Sequence, residues 1–342
     1  MEFRKAYLGE IDKRVSVTSA FMRETLFPVY DETAGTVAQW TVFDNGNNIL
    51  PDAVVGAQAG RVGPDGYTIR TANIPKAFGS TTTSEYDLDL LEGGYSPYRS
   101  DAGLVADLQA REIRELELAC TRREELMCAQ ACIQGQVVSY DEHGNVLDTI
   151  PFWNTPVTGD GVDDPIATAG TQWAAGRDNM SDLLTWANLI ANHGGTHPNV
   201  AIMAPNVAQA MMSGSDFKAN IGGYQNFTAN IDLTYQTPGV AYIGEFMGIR
   251  MFANGMSVNV GSTSTRLVPD GTLLLGSTQS DNRLIYGPNR AKDGDQLVRV
   301  IGRRCLYSEV GGNPPAISHY LACRPLAVCR RKWDNFVVTG LV

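Results

Sequence analysis

Apolar and polar positions alternate with two different periods along this chain. Thr36-Val37-Ala38-Gln39-Trp40-Thr41-Val42-Phe43 is rich in β-formers and predicts a strand. Asp44-Asn45-Gly46-Asn47-Asn48 behind it is a strong turn signal. Residues 51–66 carry Gly56, Gly60, Gly63 and Gly66 with little apolar mass, and Tyr67-Thr68-Ile69-Arg70-Thr71 resumes a strand. Residues 36–85 therefore read as a long two-stranded excursion. It has too few large apolar side chains for a core of its own, and a lone β-ribbon is marginal in water, so it needs a partner surface. Ahead of it, residues 1–30 hold few turn signals and end in Phe21-Met22-Arg23-Glu24-Thr25-Leu26-Phe27-Pro28, which predicts an extended arm with a short helical turn.

The helical period is clearest over residues 101–134. Leu104, Leu108, Leu116, Ala119, Leu126 and Ile133 recur at helical spacing, Asp101 is placed to cap the start, and Gly135 sits just past the end. Asp107 with Arg111 and Arg111 with Glu115 are i,i+4 pairs, each contributing ~0.2–0.5 kcal/mol. At ~1.5 Å per residue the helix is about 50 Å long, more than a globular domain of this size requires. Residues 137–150 read as a hairpin and 154–171 as a Gly/Asp/Pro-rich loop. Asn179–Ala191 reads as a second amphipathic helix, with Met180, Leu183, Leu184, Ala187 and Ile190 on one side. A short buried strand at 200–203 and a helix from Asn206 to Met212 follow. Strands are expected at 240–244, 249–252, 272–275, 297–301, 320–328 and 336–342. Helices and strands mix without a regular βαβ repeat, which indicates an α+β fold.

Composition adds a packed core: 43% of 342 residues are hydrophobic and 19% charged, enough for two domains or one elaborate one. The net charge of −10 argues against a dedicated nucleic-acid-binding face. Arginines outnumber lysines 21 to 6, and the planar guanidinium fork suits interfaces. No apolar run approaches the ~20 residues of a membrane span. No signal-type block follows Met1-Glu2-Phe3-Arg4-Lys5, so an intracellular protein is expected. Cys120, Cys128 and Cys132 share the long helix, while Cys305, Cys323 and Cys329 come late. Buried free thiols are expected rather than a secreted disulfide scaffold.

Chemistry-bearing motifs are sparse. There is no phosphate loop, dinucleotide fingerprint, nucleophile elbow or zincin helix. His193 and His197 are i,i+4, but Gly194, Gly195 and Pro198 interrupt any helix between them, and a solvated turn is expected. Cys128 and Cys132 share a helix face without the closing pair that zinc wants. Asp163-Asp164 reads as a turn rather than a Mg²⁺ site. Glu124-Glu125 amid Arg122-Arg123 reads as an ion-paired helix face. No catalytic, metal or cofactor site is expected, and the chain is not read as an enzyme.

The order of segments along the whole chain carries a resemblance. Leu267-Val268-Pro269-Asp270-Gly271-Thr272-Leu273-Leu274-Leu275-Gly276-Ser277-Thr278-Gln279 with Tyr286-Gly287 resembles a turn, apolar strand and threonine–glutamine pair in the major capsid proteins of lambda-like tailed phages, the phage capsid protein E family. Glu124-Glu125-Leu126 with Cys132-Ile133-Gln134-Gly135 is similar to that family's long helix and glycine exit. Tyr242-Ile243-Gly244-Glu245-Phe246-Met247-Gly248-Ile249 is similar to its late hairpin, and Arg324-Pro325-Leu326 before Phe336-Val337-Val338 to its C-terminal end. The resemblance implies the Hong Kong 97-like capsid fold. Its parts would be an N-terminal arm (1–35), an extended β-loop (36–88), a peripheral domain with spine helix 101–134 (89–175 and 297–342) and an axial domain (176–296).

By the same resemblance, copies form hexamers and pentamers of an icosahedral head shell around double-stranded DNA, touching the DNA without sequence preference. Portal, scaffold and a trimeric decoration protein are the implied partners, with no membrane. The implied location is the virion capsid, assembled in the host cytoplasm, and a procapsid expands by subunit rotation. Expected assembly contacts are Phe21 and Phe27 of the arm, Trp40, Phe43, Tyr67 and Ile69 of the ribbon, and Arg111, Arg114, Arg122 and Arg123 of the helix. The alternatives are an encapsulin-like cargo shell and a hydrolase using Asp163 and Asp164.

Overall fold

The computed structural model describes residues 20–43, 67–84, 101–152, 165–174, 179–193, 195–217, 239–293, 296–311 and 316–342. In chain order a short helix α1 (Phe21–Leu26) precedes strands β1 (Val29–Glu32), β2 (Val37–Phe43), β3 (Tyr67–Asn73) and β4 (Ala77–Ser84). Helix α2 (Asp101–Gln134) leads into hairpin β5 (Gln136–Tyr140) and β6 (Val146–Pro151), then strand β7 (Ile166–Thr168). Helix α3 (Met180–Asn192), strand β8 (Val200–Met203) and helix α4 (Pro205–Ser213) follow. The rest is β: β9 (Val240–Phe246), β10 (Ile249–Asn254), β11 (Ser257–Val260), β12 (Thr263–Arg266), β13 (Leu273–Gly276), β14 (Asn282–Tyr286), β15 (Asn289–Asp293) and β16 (Gln296–Val300). β17 (Cys305–Gly311), β18 (Ala316–Cys323), β19 (Pro325–Cys329) and β20 (Asn335–Thr339) end it.

Six strands form the central sheet in the order β7-β20-β13-β8-β10-β9. β8 and β13 are buried at every position, because the all-apolar runs Val200-Ala201-Ile202-Met203 and Leu273-Leu274-Leu275 have cover on both faces. Helix α3 seats Met180, Leu183, Ala187 and Ile190 in the same core, and α4 seats Val207, Ala208 and Met211. The connection after α3 requires a glycine at 195: a Cβ there would lie 2.5 Å from the Trp333 carbonyl oxygen. The turn is less solvated than expected. His193 stacks on Trp333 with centroids 3.9 Å apart, while His197 is exposed.

The sheet reaches across the chain. β20 pairs antiparallel with β13 and parallel with β7, so residues near 166 and 337 complete a sheet begun near 200. β7 falls inside the stretch expected to be a loop. Its three residues hold no periodic signal and are recruited by the edge of β20. The single strand expected at 320–328 is two, because Arg324 breaks it. β18 joins β17 and β4, and β19 joins β14 and β1. Pro325 opens β19 at a position where its missing N–H is tolerated.

Helix α2 is the axis of the rest. Its 34 residues pack in turn on β4, β18, β19, β5, β20 and α1. It ends where expected, with Gly135 in the left-handed region at φ 63°. The two-stranded ribbon is β2 with β3, in register from Val37↔Asn73 to Phe43↔Tyr67. Residues 77–84 are not part of it, since β4 pairs with β18 from Ala77↔Cys323 to Ser84↔Ala316. All six cysteines are buried and free. The expected arm residues 1–19, the turn and glycines of 44–66, and Asp163 and Asp164 lie outside the described residues.

Candidate assembly surfaces and the buried charge hub

The spine helix turns a charged patch inward. Glu124 is fully buried and its carboxylate accepts from four groups on three other segments. Arg23 Nη1 of α1 lies at 2.9 Å, Arg303 Nη2 at 3.2 Å and Tyr286 Oη of β14 at 2.9 Å, with Arg304 Nη1 in close contact. Arg304 Nε also reaches Glu117 at 2.9 Å. Burial alone would raise the Glu124 pKa, but the guanidinium charges of Arg304, Arg303 and Arg23 outweigh it and hold it down at about 2. Such a pair is worth little if replaced whole, and losing one partner costs several kcal/mol because the remaining charge is left buried.

Glu125, one residue on, does different work. Its two oxygens accept the backbone N–H of Met22 at 2.5 Å and of Arg23 at 3.0 Å, capping the N-terminus of α1 from a helix more than a hundred residues away. Burial pushes its carboxyl up to about 7, partly offset by those two hydrogen bonds. The expected pairing of Glu124-Glu125 with Arg122-Arg123 is thus replaced by pairing at long range. Arg23, Tyr286, Arg303 and Arg304 carry no signal in the sequence beyond their charge or ring. Only the doubled glutamate in a helix marks the place.

The expected contact residues divide by exposure. Phe21 and Phe27 lie in the chain's own core, Phe21 against Phe252 with centroids 5.0 Å apart. Trp40 is also buried, edge-on to Phe152 at 6.1 Å, with Ala38, Val42 and Ile74 beside it. The root of the ribbon is therefore anchored on its own subunit. Phe43 and Tyr67 form the outermost described pair of the ribbon. Ile69 is exposed at 53%, and Arg111, Arg114 and Arg122 project from the helix into solvent. Arg123 is half-buried, donating to the Val138 carbonyl at 3.0 Å. Arg122 and Arg123 line an open groove of about 1060 Å³ between α2, the β5–β6 hairpin and the β11–β12 hairpin.

Two further surfaces stand out. Tyr307 stacks on Tyr320 at 5.0 Å and Tyr320 on Phe78 at 5.9 Å, with Lys76 Nζ 4.4 Å from the Phe78 centroid. On the other face of β18, Leu321 and Cys323 point to α2. Val310 and Leu297 are 81% and 69% exposed. Among the described residues no helix is long and apolar enough to cross a membrane, and no group of three His, Cys, Asp or Glu residues is placed to hold a metal ion.

A family model described as phage major capsid protein E matches residues 10–333. No curated protein matches the sequence significantly. Among solved structures, the chain is similar to a candidate capsid protein of an Escherichia coli CFT073 prophage, with a TM-score of 0.66 and 14% identity over 98% of both chains. A phage-related protein of Bordetella bronchiseptica RB50 aligns with a TM-score of 0.52 and 12% identity, over 98% of this chain and 96% of the other. The capsid of cyanophage A-1(L) gives 0.52 and 11% identity, over 95% and 93%. At these identities the likeness is one of fold.

Proposed function

The chain belongs to the phage major capsid protein E family, and from that membership we propose how its parts build a shell. It has the Hong Kong 97-like capsid fold and is a major capsid protein of a tailed phage or prophage. It is a structural component of the virion head, not an enzyme, and copies of it associate into the shell. This replaces the cargo-shell and Asp163/Asp164 hydrolase alternatives.

In our reading, residues 1–35 are the arm and 36–88 the extended β-loop. Residues 89–175 with 297–342 form the peripheral domain, and 176–296 the axial domain. The loop reaches a neighbouring copy. What supports this is a ribbon whose one face, with Ala38, Trp40 and Val42, is buried on its own subunit while the opposite face, with Val37 and Ile69, is left exposed. Ile69, Arg111, Arg114 and Arg122 are proposed lattice contacts, and Phe21, Phe27 and Trp40 hold the arm and loop to their own subunit. Arginine forks exposed on a chain of net charge −10 meet carboxylates of the next copy readily. Hexamers and pentamers close an icosahedral shell around double-stranded DNA, on a portal, with a scaffold and a trimeric decoration protein. The acidic chain lets DNA slide inward, and maturation is a rotation between two packings.

The family match over residues 10–333 carries the assignment as a major capsid protein. Negative-stain microscopy of the overexpressed chain tests it: closed particles or tubes tens of nanometres across are expected. A monodisperse monomer at high concentration would refute self-assembly.

A further inference from the structure

Two of the six buried thiols face each other. Cys120 on α2 and Cys323 at the end of β18 place their sulfurs 2.9 Å apart across 203 residues of chain. They share a small apolar cluster with Leu116 and Leu321, separate from the main core. Burial differs within the pair: Cys120 keeps 8% of its surface open and Cys323 none. A little farther along the same seam, Cys132 of α2 meets Cys329 of β19. Neither pair has a role in the charge hub or the exposed surfaces.

We propose that Cys120 and Cys323 are an oxidative modification site, at which a peroxide installs an intrachain disulfide that rivets α2 to the β17–β18–β4 sheet. The step balances as follows. The sulfur of Cys120, the residue of the pair that keeps some surface open, attacks a peroxide oxygen. The O–O bond breaks, and a sulfenic acid and one water (or alcohol) result. The Cys323 sulfur then attacks the sulfenic sulfur, the S–O bond breaks, and hydroxide leaves as water with the Cys323 proton. Two S–H bonds and one O–O bond are lost, one S–S and two O–H bonds are gained, and the peroxide takes the two electrons. Cys323 is suited to the second role because it is closed to solvent and its sulfur lies beside that of Cys120. Its thiol is held well above the ordinary range by the contact with Cys120 and by burial, while the Arg304 charge acts in the opposite sense. The pair therefore stays reduced until an oxidant reaches Cys120. The bond adds a covalent tie between the helix and a sheet that are otherwise joined by packing and by hydrogen bonds from Thr81 and Thr83 of β4 to Glu112. A tie of that sequence span restricts the unfolded chain strongly.

Hydrogen peroxide treatment of the purified full chain, followed by denaturation, alkylation, digestion and mass spectrometry, tests this. The expected product is one peptide pair linking Cys120 to Cys323, lighter by two hydrogen atoms than the reduced peptides and abolished by dithiothreitol. Peroxide should also raise the melting temperature of the wild type by several degrees and leave Cys120→Ser unmoved. Should Cys120→Ser fold poorly, Cys128→Ser is the complement, since it must keep the link. Alkylation of all six cysteines after peroxide, pairing of Cys323 with any other cysteine, or a link between two chains on a non-reducing gel would each overturn the proposal. The outcome is independent of whether the chain assembles.

Discussion

Glu125 sits where two requirements oppose each other: it must be charged to cap α1 well, and burial disfavours the charge. Its carboxyl lies at about 7 in the folded chain against an ordinary 4.5. Folding therefore takes up a proton between those values. The stability this group contributes is complete below about pH 4.5 and is lost as pH rises through 7. Up to about 3 kcal/mol is at stake, from 1.36 kcal/mol per pKa unit. Glu125→Gln keeps an acceptor oxygen for one of the two N–H groups, gives up the other and cannot ionise. Denaturant midpoints at pH 5 and pH 8 should show the wild type losing stability relative to Glu125→Gln as pH rises; parallel curves would dispose of the idea. Glu124 runs the other way. Held at about 2, it contributes stability above its ordinary value and loses it only as pH falls toward 2. Neighbours on one helix thus bracket the pH range in which α1 is best held to the spine.

At the scale of elements, the reach proposed for the ribbon separates folding from assembly in a testable way. Its root belongs to the subunit core through Ala38, Trp40, Val42 and Ile74, and its described end is the Phe43↔Tyr67 pair. Replacing residues 44–66 by Asn-Gly closes that pair as a two-residue hairpin. The variant should melt within a few degrees of the wild type yet form no closed shells by electron microscopy. Normal shells would show that the reach of the loop is not needed.

Elements of this kind were legible in the sequence where the signal is local. The helix 101–134, the runs Val200–Met203 and Leu273–Leu275, and the 137–150 hairpin all follow from periodicity and turn residues. Pairing at long range was not. Nothing near Ile166 announces that it adds to β20, and nothing near Arg304 announces Glu124. The sequence around Trp40 reads as an outward anchor because the apolar surface that receives it, around Phe152, is remote in sequence. Of the expected contacts, Ile69, Arg111, Arg114 and Arg122 lie exposed while Phe21, Phe27 and Trp40 lie in the chain's own core, a division that composition cannot make.

For the whole molecule, charge governs how copies meet. Each chain carries −10, so approach is opposed at long range, and the proposed arginine contacts would favour it at short range. Raising salt from ~10 mM to ~150 mM cuts the screening length from ~30 Å to ~8 Å. It should weaken the repulsion more than the close ion pairs. Light scattering of the purified chain should then show faster assembly at the higher salt; slower assembly would mean that the arginine contacts dominate even the approach. The order of the central sheet bears on synthesis as well. β20, residues 335–339, lies between β7 and β13 rather than at an edge. A ribosome must therefore have delivered nearly all of these residues before the sheet can close. Any product broken off earlier lacks an interior strand, not a fringe, and so cannot close the sheet that a building block needs.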